Sequence, residues 1–273
     1  MATTPRVPVD RDEFVRDWVG WRVRRTEELR HPHGWLSVTA LHWLTEELRP
    51  YWGVPGWWTG RPAGVTVQAA AEDGLMLHGR PVRGTAVIAV ADGAPSAWAT
   101  CGDKAIEILQ RNGRYALRLR DPTAVTRTWF AGVPAYDPRP EWVVPGLFHP
   151  YDQPRLVLLG SVVSGVTHRQ RAVGVVQFRV GGDDFALTAF GRADGGLWVP
   201  FRDATSGVTT YAGARSLTIP PPAPDGHVTL DFNRAANPPS AFTDYATCAV
   251  PPPENTLPIP VEAGERMPIR PDR

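Results

Sequence analysis

Hydrophobic and polar positions along the chain follow two periods, one after the other. Over Asp10–Leu29, Phe14, Val15, Trp18, Val19 and Trp21 recur at three- and four-residue steps between Arg and Glu, which predicts an amphipathic helix. Asp10 is placed to accept from the free N–H groups of the first turn, and Glu13 follows three residues later, as in a capping box. The stretch His31–Leu44 fits a strand or a short helix equally well. From Val65 onward the period drops to two, in short runs broken by Gly, Asp and Pro.

The clearest of these runs is "AIEILQRNGRYALRLRD". Asn112-Gly113 meets the positive-φ demand of a type I′ turn, and alternation on both sides predicts a hairpin. Ile106, Ile108, Tyr115, Leu117 and Leu119 fall on its core face, with Glu107, Arg118 and Arg120 on the other. Further strands are expected at Arg155–Val163, Gly174–Val180, Asp184–Phe190, Gly196–Phe201 and Val228–Phe232. The fold class expected is therefore mainly β: antiparallel β-barrel or sandwich halves, an N-terminal amphipathic helix, and a long ordered Pro-rich C-terminal coil. The organisation expected is a helix and lead-in over 1–34, a β-rich half over 35–130 and a connecting loop over 131–154. A second β half with its closing segment follows over 155–265, then a tail over 266–273.

The closing segment, "DFNRAANPPSAFTDYATC" and onward, has neither period. Seven prolines lie between Asp231 and Glu265, each fixing φ and lowering the entropy lost on ordering. Phe232, Phe242, Tyr245, Leu257 and Ile259 are too apolar for a solvated tail, so a rigid coil wrapped over the β structure is expected.

Composition narrows the function classes. A net charge of +1 gives no field for nucleic acid or an anionic membrane. No apolar run of about 18 residues is present to span a bilayer, and the first residues lack an apolar leader. Cys101 and Cys248 are expected as free thiols in a reducing cytoplasm. Lys104 is the single Lys among 29 basic residues, a skew that fits phosphate-binding forks or, more simply, GC-rich coding.

Candidate chemistry concentrates near the closing segment. Asp231, Asn233 and Asn237 stand where a strand runs into a rigid turn, with Asp231 suited to general-base work and Tyr245 to donating its phenol. They serve equally well as loop braces. Asn255 adds another amide. "RDATSGVTTY" offers Asp203, Thr205 and Tyr211 around a glycine; Arg118, Arg120 and Arg127 either fork onto an anion or pair with Glu107 and Asp121. Glu262 and Glu265 read as solvated terminal charges, and Cys248 as a buried inert thiol. His31 and His33 lack a third ligand at close spacing, so no metal is expected.

Three segments, "GWLSVTALHWL", "FRDATSGVTTYAGAR" and "DFNRAANPPSAFTDYATCAVPPPENTLPIPVEAGE", together resemble the family catalogued as domain of unknown function 1684, over roughly Trp18–Glu265. The resemblance implies kinship and no reaction. Members usually carry Cys where this chain has Ser240, so a site needing two sulfurs is not expected here. After Trp43 the chain departs again, with an insertion holding Trp52, Trp57 and Trp58.

The expectation is a small-molecule-binding β protein, with metal-independent acid–base chemistry of hydrolase, lyase or isomerase type carried by Asp231, Tyr245 and Asn237. Asn233, Asn255, Arg118, Arg120, Asp203, Thr205 and Tyr211 are the ligand-binding candidates. No cofactor is expected, and a homodimer is compatible with it. The alternatives are an interaction module built on the Trp-rich insertion and a flavin-binding split barrel.

Overall fold

The computed structural model describes residues 10–270; residues 1–9 of the lead-in and 271–273 of the tail lie outside them. Helix α1 spans Arg11–Arg30, and the Asp10 carboxylate caps it by accepting from the N–H groups of Asp12 and Glu13. Phe14, Val15, Trp18 and Trp21 are half-buried, whereas Val19 is exposed and Leu29 alone is buried. Polar anchors fasten the helix instead. Trp18 Nε1 donates to the Asn233 carbonyl, and guanidinium groups of Arg22, Arg25 and Arg30 donate to the carbonyls of Val133, Asn237 and Phe130.

The remainder is mainly antiparallel β. The ambiguous segment after α1 resolves into a 3-10 turn at Trp35–Ser37 followed by β1 (Val38–Trp43). Nine strands complete the first β unit: β2 (Arg49–Tyr51), β3 (Val54–Arg61), β4 (Gly64–Ala69), β5 (Leu75–Leu77), β6 (Arg80–Pro81), β7 (Gly84–Ile88), β8 (Ala97–Cys101), β9 (Lys104–Arg111) and β10 (Arg114–Arg120). They form two sheets, β1-β10-β9-β8-β5-β6 and β2-β3-β4-β7. Trp58, Val65, Val67, Ile106, Ile108, Tyr115, Leu117 and Leu119 meet in one core fed by strands of both, as in a sandwich. The expected hairpin is present. Asn112 and Gly113 take φ of 51° and 72°, and Arg118 pairs with Glu107 across the ladder.

A short helix α2 (Val125–Thr128) leads to the second unit: β11 (Val143–Gly160), β12 (Thr167–Val180), β13 (Asp183–Gly191), β14 (Leu197–Phe201), β15 (Arg215–Ile219) and β16 (His227–Asp231). They form one sheet in the order β15-β14-β13-β12-β11-β16, and its two edge strands approach each other as the sheet curls into a half-barrel. Its hollow is filled by Val176, Leu187, Val199, Phe201, Leu230 and Phe232, together with Leu257, Val261 and Ala263 from the closing coil.

Two boundaries differ from expectation. Residues 143–154, read as part of the connecting loop, belong to β11, and residues 167–173 belong to β12. Pro145, Pro150 and Pro154 hid the first, because proline removes ladder donors and reads as loop. The strand tolerates them by slipping register between Pro150 and Arg155. Gly174, opposite Pro150, is required there: a Cβ would stand 2.3 Å from the His149 carbonyl oxygen. Residues 266–270 are likewise pinned: Arg266 N donates to the Pro134 carbonyl, Met267 N to that of Thr209, and Arg270 Nε to that of Ala241.

Candidate functional site

The closing coil is folded down against the half-barrel and α1, and most of the polar groups singled out there help to hold it. The Asp231 carboxylate accepts from the backbone N–H and the side-chain amide of Asn233, at 3.1 and 2.9 Å, and pairs with Arg234 at 3.0 Å. Asn233 reaches across to Arg139, accepting from its N–H and donating to its carbonyl. Asn255 does the same to Thr188 and donates also to the Pro200 carbonyl. Asn237 donates through its amide to the Arg266 carbonyl; its Oδ1 is buried without a partner.

Asp203 and Thr205 close the same network. The Asp203 carboxylate accepts from Thr205 N–H and Oγ1, from Val261 N–H, and from the fully buried Arg215 at 3.2 Å. Arg215 also donates to the carbonyls of Val261 and Ala263. Glu265, read as a solvated charge, is instead 0% exposed. Its carboxylate accepts from Arg25 Nε at 3.0 Å and from Asn237 N–H at 2.6 Å. The reason is local crowding: the coil brings Glu265 under α1, where an arginine neutralises it. Tyr211 packs against the small apolar cluster that includes Leu29, Phe130 and Phe242, and Tyr245 contributes its carbonyl to Arg118.

Arg118, Arg120 and Glu107 form a buried ion cluster on the outer face of the first sheet. Glu107 Oε2 accepts from Arg118 at 2.9 Å and from Arg120 at 2.7 Å, and Ser96 donates to its other oxygen. Burial pushes the Glu107 carboxyl up, but the two guanidinium groups outweigh it and leave it below the ordinary value. Trp35 lies 4.8 and 4.7 Å from the two guanidinium carbons. Arg120 also donates to the carbonyls of His33 and Gly34. Asp121 pairs with Lys104 rather than with an arginine, and Arg127 donates to the carbonyls of Arg30 and Pro122. Cys248 is a half-buried free thiol, and its burial pushes the thiol up. His33 bonds the Asp103 carbonyl through Nε2; among the described residues no three His, Cys, Asp or Glu side chains converge as a metal cluster would.

A different set of polar groups faces open space. Where the β9–β10 turn meets the start of β12, Asp92, Gly93, Arg111, Asn112, Thr167, His168, Arg169 and Gln170 line a cavity of about 330 Å³. The two units are stitched there by a reciprocal pair: Asn112 Nδ2 donates to Thr167 Oγ1 at 2.7 Å, and Thr167 N donates to Asn112 Oδ1 at 2.8 Å. Gly113 N donates to Asp92. His168 Nε2 is buried and has no partner. Burial holds the imidazole below its ordinary value and the Arg111 charge pushes it further down, against the opposing pull of the Thr247 backbone. Both effects favour the neutral imidazole.

The larger hollow of about 590 Å³ on the outer face of the half-barrel, by Leu147, Gln177 and Ala186, offers less chemistry. Its charges are already matched, Arg179 with Asp184 at 2.7 Å and His227 with Asp225 at 2.9 Å.

Comparison with known proteins places the chain. The family described as protein of unknown function (DUF1684) matches residues 128–266. The chain belongs to that family. The DUF1684 match takes in the half-barrel and the closing coil, along with His168 and Arg169, whereas Asp92 and Arg111 precede it. The seam cavity thus draws on the DUF1684 region and on the β unit before it. Among solved structures, an uncharacterized protein of Haloarcula marismortui, determined by solution NMR, is 33% identical. That match covers 52% of this chain and 79% of the other, with a TM-score of 0.44. No curated protein matches.

His168 and Arg111 were not singled out from sequence. The one local sign is the polar run "THRQR" in a chain otherwise alternating, and it reads as loop until its partners, more than fifty residues away, are known.

Proposed function

We propose that this is a small-molecule-binding β protein whose ligand sits at the seam between the two β units. The observation that carries this reading is the His168 imidazole, which lines a polar cavity while its Nε2 is buried and unpartnered. An orphaned buried nitrogen costs roughly 1–3 kcal/mol, a cost that a bound hydrogen-bond donor removes. Ligand sites favour junctions between structural units and a few convergent polar groups, and Arg111, Arg169 and Gln170 supply those groups beside the imidazole. A neutral imidazole beside guanidinium groups is also equipped to take a proton from a bound substrate. On this reading Asp231, Asn233, Asn255, Asp203 and Thr205 brace the closing coil, and chemistry belongs to His168.

The test is a polar-metabolite library screened by NMR on the His168 ring resonances, in the wild type and in His168→Gln. At least one compound is expected to shift the ring saturably and to bind the variant at least tenfold more weakly. A library that leaves the ring signals unmoved would refute the seam site.

A further inference from the structure

Resting on the seam-cavity reading, we propose that the ligand carries a compact oxyanion, a carboxylate or a phosphate, recognised by Arg111 and Arg169. Charge balance is the first argument. Several arginines of the fold meet carboxylates: Arg25 with Glu265, Arg118 and Arg120 with Glu107, Arg215 with Asp203, Arg234 with Asp231 and Arg270 with Asp244. Among the described residues neither Arg111 nor Arg169 has an ion-pair partner, yet both line the same cavity. The single carboxylate there, Asp92, accepts from Gly113 N.

Hydrogen-bond capacity is the second. A guanidinium offers five N–H donors in a planar fork; Arg111 places one on the adjacent Gln110 carbonyl at 2.6 Å. Among the described residues Arg111 makes no other side-chain hydrogen bond and Arg169 makes none, which leaves both forks open to a ligand. Asn112 and Thr167 do not occupy them, because they are bonded to each other. A planar carboxylate or a tetrahedral phosphate accepts from such forks in bidentate fashion. Size is the third: about 330 Å³ lies at the lower end of the roughly 300–1,000 Å³ of small-molecule sites, room for a small metabolite.

The experiment titrates inorganic phosphate, succinate and neutral succinamide into the full chain, reading the His168 ring by NMR and the affinity by calorimetry. Phosphate or succinate is expected to bind saturably and more weakly as NaCl is raised, and which of them binds identifies the oxyanion. Arg111→Gln and Arg169→Gln should each weaken that binding at least tenfold with the amide spectrum otherwise unchanged, and Arg111→Lys should weaken it less than Arg111→Gln. Succinamide binding as tightly as succinate, or both Gln variants binding like wild type, would overturn the oxyanion assignment while leaving the seam as a site for a neutral ligand. If neither anion moves the ring, the oxyanion assignment also fails, and the metabolite screen decides separately whether the seam binds anything.

Discussion

Replacing Asn255 by alanine separates a brace from a ligand-binding residue. Asn255 is 0% exposed, and its side chain satisfies three main-chain groups of the half-barrel: Thr188 N–H at 2.7 Å, the Thr188 carbonyl at 2.9 Å and the Pro200 carbonyl at 2.7 Å. Alanine reaches none of them. A buried N–H has no second partner to turn to and costs about 2–3 kcal/mol when orphaned; each carbonyl keeps a second lone pair and costs about 1 kcal/mol. The sum is about 4 kcal/mol, a large share of the roughly 5–15 kcal/mol that holds a domain together. With a urea m-value of about 2 kcal/mol/M, the unfolding midpoint should fall by about 2 M at unchanged slope. A shift below about 0.5 M would mean that the coil is not latched to the sheet through this residue.

Glu107→Ala leaves the buried Arg118 and Arg120 without their counter-charge and should destabilise by about 3–5 kcal/mol, read as a loss of thermal midpoint. The Asp121 carboxyl is pulled down to about 2 from 3.8, by its hydrogen bond from Thr123 first and, against desolvation, by Lys104. Its contribution is complete above the unfolded value near 3.8 and is lost as pH falls through the folded one; carboxyl-carbon NMR should give an Asp121 midpoint near 2, rising in Lys104→Ala. Cys248, with its thiol pushed up by burial, should react with an aromatic disulfide reagent more slowly than an unfolded-chain thiol at pH 8.

Local signals were legible where a few neighbouring residues decide the outcome. Asp10 caps α1, and Asn112-Gly113 makes the turn that alternation on both flanks announced. Strand β13 was read within one residue at each end. The failures share one cause, dependence on distant partners. β15 was not foreseen, and β11 was cut short because its prolines mask pairing that β12 and β16 supply. Sequence located the Asn, Asp and Pro residues of the closing coil as ordered, but chemical potential alone does not say whether an amide faces a hollow or a carbonyl. Glu265 illustrates this: only its approach to Arg25, 240 positions away, turns an apparently solvated carboxylate into a buried one.

The Pro-rich coil creates a shortage that gives five of the arginines a role. Every proline deletes a donor but keeps its carbonyl, so the segment carries more acceptors than its own backbone can serve. Guanidinium groups make up the difference: Arg25 on Asn237, Arg118 on Tyr245, Arg139 on Glu262, Arg215 on Val261 and Ala263, and Arg270 on Ala241. A skew that composition alone assigned to coding bias thus has a mechanical use here. A lysine ammonium lacks the planar, pre-organised fork that meets fixed carbonyls, so exchanging these arginines for lysines would keep the net charge and loosen the arm.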